Sequence, residues 1–160
     1  MILVLLGTQK HQFTRLLDAL ETDLVSGQIK ETVLVQNGHT DFESTHMELI
    51  GFVEENSLDA LIQKADLVIC HGGAGSIFKC LEYGKKVIAV ARRAQTSEHF
   101  NDHQIEIVQR LSDLGYILAA NETLSLAQTI QQAALFDPKP FVSNTQNIVG
   151  KIRSFIDEQT

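Results

Sequence analysis

Much of what would mark a specialised protein is missing from this chain. Only two of its 160 residues are cysteine, Cys70 and Cys80, and they form no CxxC or Cys/His spacing. A disulfide framework or zinc site has no basis here, and both read as small buried hydrophobes in a reducing compartment. Basic residues are outnumbered, 13 Lys and Arg against 20 Asp and Glu, for a net charge of −7. A nucleic-acid binder would carry a basic stripe, so no nucleic-acid partner is expected. No apolar run approaches the length of a membrane span. The opening MILVLLG is too short, and lacks the basic flank, for a signal peptide; it reads as a buried first strand of a cytoplasmic protein. The P-loop G-x-x-x-x-G-K-[ST], the hydrolase G-x-S-x-G and the zinc motif HExxH are all absent.

What is present is an ordinary apolar fraction of 44%, enough for one domain with a full core and above what disorder allows. Strand and helix signals alternate. Ile2–Leu6, Glu31–Gln36, Glu48–Val53, Leu67–Cys70, Lys86–Ala91 and Tyr116–Ala119 read as strands. Between them apolar residues recur at helical spacing. The groups are Phe13, Leu16, Leu17 and Leu20; then Leu58, Leu61, Ile62 and Ala65 behind a Ser57 cap; then Ile77, Cys80 and Leu81. Ile105, Val108, Leu111 and Leu114 follow an Asp102 cap, and a further helix covers Thr123–Leu135. Pro138 and Pro140 break the chain before a last helix, about Asn144–Ile156, striped with Ile148, Ile152, Phe155 and Ile156. The alternation predicts an α/β, Rossmann-like parallel sheet with helices on both faces. A ligand then belongs in the crevice beyond the C-terminal strand ends. Three loops should reach it: Gly7–Gln12, His71–Ser76 and Arg92–Asp102.

The segment Ala65–Val90 carries the sharpest signal. A strand stops at His71, three glycines follow in four positions (Gly72, Gly73, Gly75), and a helix opens. Backbone N–H groups at such a helix start hold anions, most often phosphate, and a Cβ there would block the approach and forbid positive φ. A nucleotide is expected. A dinucleotide fingerprint fits less well: Phe78 stands where the third glycine belongs, and the next strand ends at Arg92-Arg93 rather than at an acid. The two arginines leave an NADP-binding reductase as a weaker alternative. A second cluster, Glu98–Gln104 (EHFNDHQ), gathers two acids, two histidines and two amides at a helix start. Sugar hydroxyls want such bidentate partners. Metal binding by His99 and His103 would need His99 inside the helix, and the Asp102 cap puts it outside; no metal is expected. A solvated loop with a polar cap is the plain alternative.

HGGAGS, GKKVIAV and EHFNDHQ, in this order and spacing, together with Gly7–Leu16 (GTQKHQFTRL), resemble the C-terminal, donor-binding half of GT-B glycosyltransferases of family 28 over nearly the whole chain. The likeness is to stand-alone proteins of bacterial capsule and exopolysaccharide clusters, similar to the donor subunit of a two-part GlcNAc transferase. The resemblance implies a UDP-sugar in the crevice as substrate, with no cofactor and no divalent metal, which suits the lack of a D-x-D. It implies that Gly73, Ala74, Gly75 and Ser76 hold the diphosphate, with Gly7 and Thr8 on the opposite wall. Asn101, Asp102, His103 and Gln104, with Glu98, would grip the sugar. Many relatives place a ribose-binding glutamate where this chain has Lys79; Glu82, one turn on, is the substitute expected here.

The resemblance further implies one nucleotide-sugar-binding domain over residues 1–160, with 139–160 either closing the sheet or docking on a partner. The expected reaction is inverting transfer of a hexose or N-acetylhexosamine to a lipid-linked saccharide in surface-polysaccharide assembly. A separate membrane-anchored subunit would bind the acceptor, and would hold this chain at the inner face of the plasma membrane. Self-association of the isolated chain stays open. A non-catalytic nucleotide-sugar-binding or stabilising subunit is the alternative. In-line displacement needs a base for the acceptor hydroxyl; His11, the only histidine of the opening loop, is the candidate, unless the partner supplies it.

Overall fold

The computed structural model describes residues 1–120 and 125–144. Six strands form one all-parallel sheet: β1 (Ile2–Leu5), β2 (Val33–Gln36), β3 (Glu48–Ile50), β4 (Leu67–His71), β5 (Val87–Val90) and β6 (Leu118–Ala119). Their order is β3-β2-β1-β4-β5-β6. Five helices connect and cover them: α1 (Thr14–Val25), α2 (Glu55–Lys64), α3 (Ala74–Glu82), α4 (His103–Asp113) and α5 (Leu126–Leu135). The predicted α/β, Rossmann-like sheet is what folds.

Alternation along the central strands builds two cores. Ile2 and Val4 of β1, Ile69 of β4 and Ile88 of β5 pack beneath α1 and α5, with Leu16, Leu17, Leu20, Leu126 and Ala133. Leu3, Leu5, Val68, Cys70, Val87 and Ala89 face the other way, against Ile62, Ile77, Cys80, Leu81, Val108 and Leu111 of α2, α3 and α4. Strands apolar on both faces are what parallel crossover connections demand. The chain runs outward from β1 to β3, then returns through α2 to β4 on the other side of β1. That reversal opens a crevice between the C-terminal ends of β1 and β4.

Three local expectations are corrected. Ser57 lies inside α2, which begins at Glu55 after Glu54; the acid in the first turn suits the positive end of the helix dipole. Ile105 is 42% exposed, whereas Gln104 is buried, so α4 turns Gln104, Val108 and Leu111 inward. The predicted helix over Thr123–Leu135 begins at Leu126, where Ser125 and Gln128 form a reciprocal capping box. The predicted last helix lies outside the described residues beyond Asn144. Among the described residues no helix is long and apolar enough to cross a membrane.

Candidate functional site

A hollow of about 270 Å³ occupies the crevice between β1 and β4. Leu5, Gly7, Thr8 and Gln9 form one wall; His71, Gly73, Gly75 and Ser76 form the other. Gln36 closes it from β2, and Phe52, Val53 and Leu58 make an apolar end. A larger hollow, about 350 Å³, lies at the opposite edge of the sheet beside Met1, Asp66 and Lys86. No helix N-terminus opens into that one, and its lysine ammonium already donates to the carbonyls of Ala133 and Ala134.

The glycine wall is built around His71. The strand ends by placing its imidazole between Gly7 and Gly73: a Cβ on Gly7 would come within 2.5 Å of His71 Cε1, and one on Gly73 would fall on Nε2. Gly7 also has φ +76°, a conformation side chains rarely adopt. Gly72, Gly73 and Gly75 do not have positive φ, so the expected conformational reason for glycine gives way to a steric one. At Gly75 a Cβ would meet open space, which leaves the approach to α3 clear. His71 Nδ1 donates to the Leu5 carbonyl at 3.2 Å, so Nε2 carries the lone pair. Burial holds the group down at about 4, and it is neutral at pH 7.

Helix α3 starts beyond Gly73 with no side-chain cap. Ile77 N–H closes the first turn onto the Gly73 carbonyl, which leaves the amides of Ala74, Gly75 and Ser76 without intrahelical partners. They stand at the positive end of the helix dipole, beside the hollow. That arrangement can bind a diphosphate.

The segment Glu98–Gln104 joins this site only in part. It touches the hollow's walls at two points: the Gln9 side-chain amide donates to His99 Nε2 at 3.1 Å, and Gln104 packs against Gly72. Asn101, Asp102 and His103 are exposed on the rim rather than in the lining. Asp102 Oδ1 accepts from Ala94 N–H, and Asn101 Oδ1 from His103 N–H. Glu98 departs from expectation. It is buried, its carboxylate takes two hydrogen bonds from Arg15 at 2.8 and 2.9 Å, and it accepts from Arg93 N–H. Burial alone would raise its pKa; the Arg15 hydrogen bond and charge, the Arg93 amide and Thr96 outweigh that and hold it low. This carboxylate is buried and fastens a loop instead of facing the hollow. His99 lies ahead of α4, as expected, and among the described residues no cluster could hold a metal ion.

Two further expectations change. Glu82 is exposed on the last residue of α3, six residues or about 9 Å along the axis from Ser76. It does not line the hollow. At the family's acid position, the Lys79 ammonium bonds Asp59 at 2.7 Å and Glu55 at 3.0 Å on α2, first Asp59 and then Glu55 raising its pKa. Arg92, read as a nucleotide 2′-phosphate ligand in the reductase alternative, is 1% exposed and engaged with backbone carbonyls. His11 sits on the β1–α1 loop; its Nδ1 donates to the Ser97 carbonyl at 3.1 Å, leaving Nε2 as a proton acceptor. Ser97, at φ +57°, is the one non-glycine with positive φ among the described residues. Sequence reasoning assigned no role to His71, Gln9, Gln36 and Phe52, and gave Arg92 a different one. Only His71, at the end of the strand before the glycines, left a visible signal.

Fold and site together define a Rossmann-like domain with an uncapped helix start beside a crevice at a topological switch point. The match to the glycosyltransferase family 28 C-terminal domain runs over residues 1–159, and the chain belongs to that family. It is 32% identical over 99 residues to the UDP-N-acetylglucosamine transferase subunit ALG13 of Candida glabrata, covering 61% of this chain and 48% of that one. The ALG13 subunit of Debaryomyces hansenii is 30% identical over 119 residues, covering 68% and 53%. The chain spans from 5% to 57% of the length of the curated relatives it matches. Among solved structures, it superposes on ALG13 with a TM-score of 0.55 at 19% identity, covering 89% of this chain and 88% of that one. It superposes on Acinetobacter baumannii MurG with a TM-score of 0.56 at 17% identity, covering 82% and 40%. The GT-B-like fold is common to these.

Proposed function

We propose that this chain is the donor-binding, catalytic subunit of an inverting glycosyltransferase that uses a UDP-sugar and acts with a partner subunit. The observation that carries it is the uncapped start of α3 facing a hollow with one polar and one apolar end. The diphosphate lies against the amides of Ala74, Gly75 and Ser76, with Gly7 and Thr8 opposite. There the helix dipole stabilises the departing UDP. His71 Nε2 offers a neutral group at the same wall. Phe52, 54% exposed, gives the base an aromatic face. The sugar reaches toward Gln104 and the rim residues Asn101, Asp102 and His103. His11, its tautomer fixed by the Ser97 carbonyl, takes the acceptor proton.

The relatives' name supports GlcNAc as the sugar and subunit status for this chain. A lipid-linked saccharide acceptor, a membrane-anchored acceptor-binding partner and a cytoplasmic place beside the membrane complete the proposal. Assembly of a surface polysaccharide draws no support from these relatives. A second reading, a nucleotide-sugar-binding subunit without catalysis, is favoured by one observation: the position of the family's ribose acid holds Lys79, tied to Asp59 and Glu55. Saturation-transfer NMR on the full chain with UDP-GlcNAc, UDP-glucose and NADPH tests donor binding. Transfer to the uridine and anomeric protons, with none to NADPH, is the expected result; transfer to NADPH alone refutes it. Turnover of labelled UDP-GlcNAc by the chain with its partner separates the catalytic reading from the non-catalytic one.

A further inference from the structure

We propose that Arg92 is the positioning residue of the donor site, a clasp that fixes the β1–α1 loop (7–13) against the β5–α4 loop (91–102) and so sets where the sugar lies relative to the diphosphate. The inference rests on the donor-site reading above. Arg92 is the second residue after β5, at the crevice edge of the sheet. Its Nη1 donates to the carbonyls of His11 at 2.8 Å, Gln12 at 3.3 Å and Glu98 at 3.3 Å, and Nη2 donates to the Leu6 carbonyl at 2.8 Å. The guanidinium lies over the Phe13 ring, 4.6 Å from its centroid. Its backbone N–H donates to Gln104 Oε1 at 3.2 Å.

These bonds end on backbone and side-chain groups that stand behind the hollow's lining rather than in it. Leu6 precedes Gly7, which lines the hollow. His11 carries the candidate base. Gln104 underlies Gly72, and the Glu98 carbonyl precedes His99, which accepts from Gln9. The second layer repeats the tie: Glu98 holds Arg15 of α1 and the Arg93 amide, and Arg15 also donates to the Ala91 carbonyl at 2.9 Å.

Burying a guanidinium is costly, and here Nε has no hydrogen-bond partner. An apolar side chain of equal volume would fill the space at lower cost. What it could not do is hold the carbonyls of three separate segments together. Lysine could not do so either, since its ammonium is a point donor without the rigid fork. Small displacements of reacting groups cost large factors in rate, so a rigid link between the two loops has a direct chemical use.

Arg92→Lys and Arg92→Met in the full chain, with Glu98→Gln as a milder cut through the same network, test the clasp. Titration with UDP and with UDP-GlcNAc is paired with hydrogen exchange. The expected result is a cooperative melt and UDP affinity within roughly threefold of wild type. The ratio of the UDP-GlcNAc to the UDP dissociation constant should rise about tenfold, the loss expected from misplacing a charge-assisted hydrogen bond. Amides of 7–13 and 93–102 should exchange faster together while those of α3 do not. A uniform loss of affinity for both ligands, an unchanged ratio, or faster exchange in only one loop overturns the proposal. Should Arg92→Met fail to fold, Arg92→Lys and Glu98→Gln carry the same comparison. A wild type that binds neither ligand refutes the donor-site reading instead, and the exchange data then decide the clasp alone.

Discussion

His71 shows how one buried side chain shapes the glycines around it. The imidazole needs the room that Gly7 and Gly73 leave, and its depressed pKa has a stability consequence. In the unfolded chain the group titrates near its ordinary value of 6.5; in the fold it stays neutral down to about 4. The unfolded state therefore binds more protons between those values. The contribution is intact above pH 6.5 and is lost as pH falls toward 4, by roughly 3 kcal/mol in all. Denaturant melts at pH 7.5 and 5 should show a steeper loss for wild type than for His71→Asn. Equal slopes would mean that the imidazole is not buried as described. At the other wall, His11→Ala should abolish turnover and leave UDP affinity unchanged; undiminished turnover would remove His11 from the reaction. The glycine turn was plain in the sequence because its residue types are rare together. The role of Arg92 was hidden, since an arginine at a strand end looks the same whether it awaits a phosphate or binds carbonyls.

Among the elements, α3 and its neighbour α2 show why the ribose position cannot be judged from one residue. Lys79 and the acids Glu55 and Asp59 are 20 or more residues apart in sequence and meet only because α2 and α3 lie side by side on one face of the sheet. Lys79→Glu, which restores the family's acid, would face two carboxylates. It should lower the melting temperature without improving UDP affinity, and recover when Glu55 and Asp59 are neutralised as Gln and Asn. A gain in affinity from the single change would show that the position still reads the ribose. On the opposite face, buried Asp23 of α1 accepts from Ala127 N–H at 2.8 Å and caps α5. Asp23→Ala leaves that amide buried without a partner and should cost about 1–3 kcal/mol in denaturant unfolding; no change would contradict the cap. Helix and strand order were legible because period and glycine stops are local signals. The α4 register was not: Gln104 turned inward ahead of Ile105, because Gly72 leaves it space and the Arg92 amide gives it a donor.

At the scale of the molecule, all-parallel pairing with a reversal beside β1 places three loops from distant parts of the chain at one edge. That convergence followed from the alternation pattern alone, and the hollow between Gly7–Gln9 and Gly73–Ser76 lies where it was expected. The rim segment Asn101–His103 adjoins this hollow without lining it, a distinction that depends on loop packing and leaves no trace in composition. In the proposed function this domain supplies the donor wall of a transferase cleft, and a partner the acceptor wall. Isothermal titration of UDP into the full chain, beside the variant Gly73→Ala, bears most directly on the central claim. The added methyl displaces the His71 ring and narrows the α3 entrance, so wild type should bind one UDP and the variant about tenfold or more weakly. Equal affinity in the two proteins, or no binding to wild type with its partner present, would contradict a diphosphate held at the start of α3.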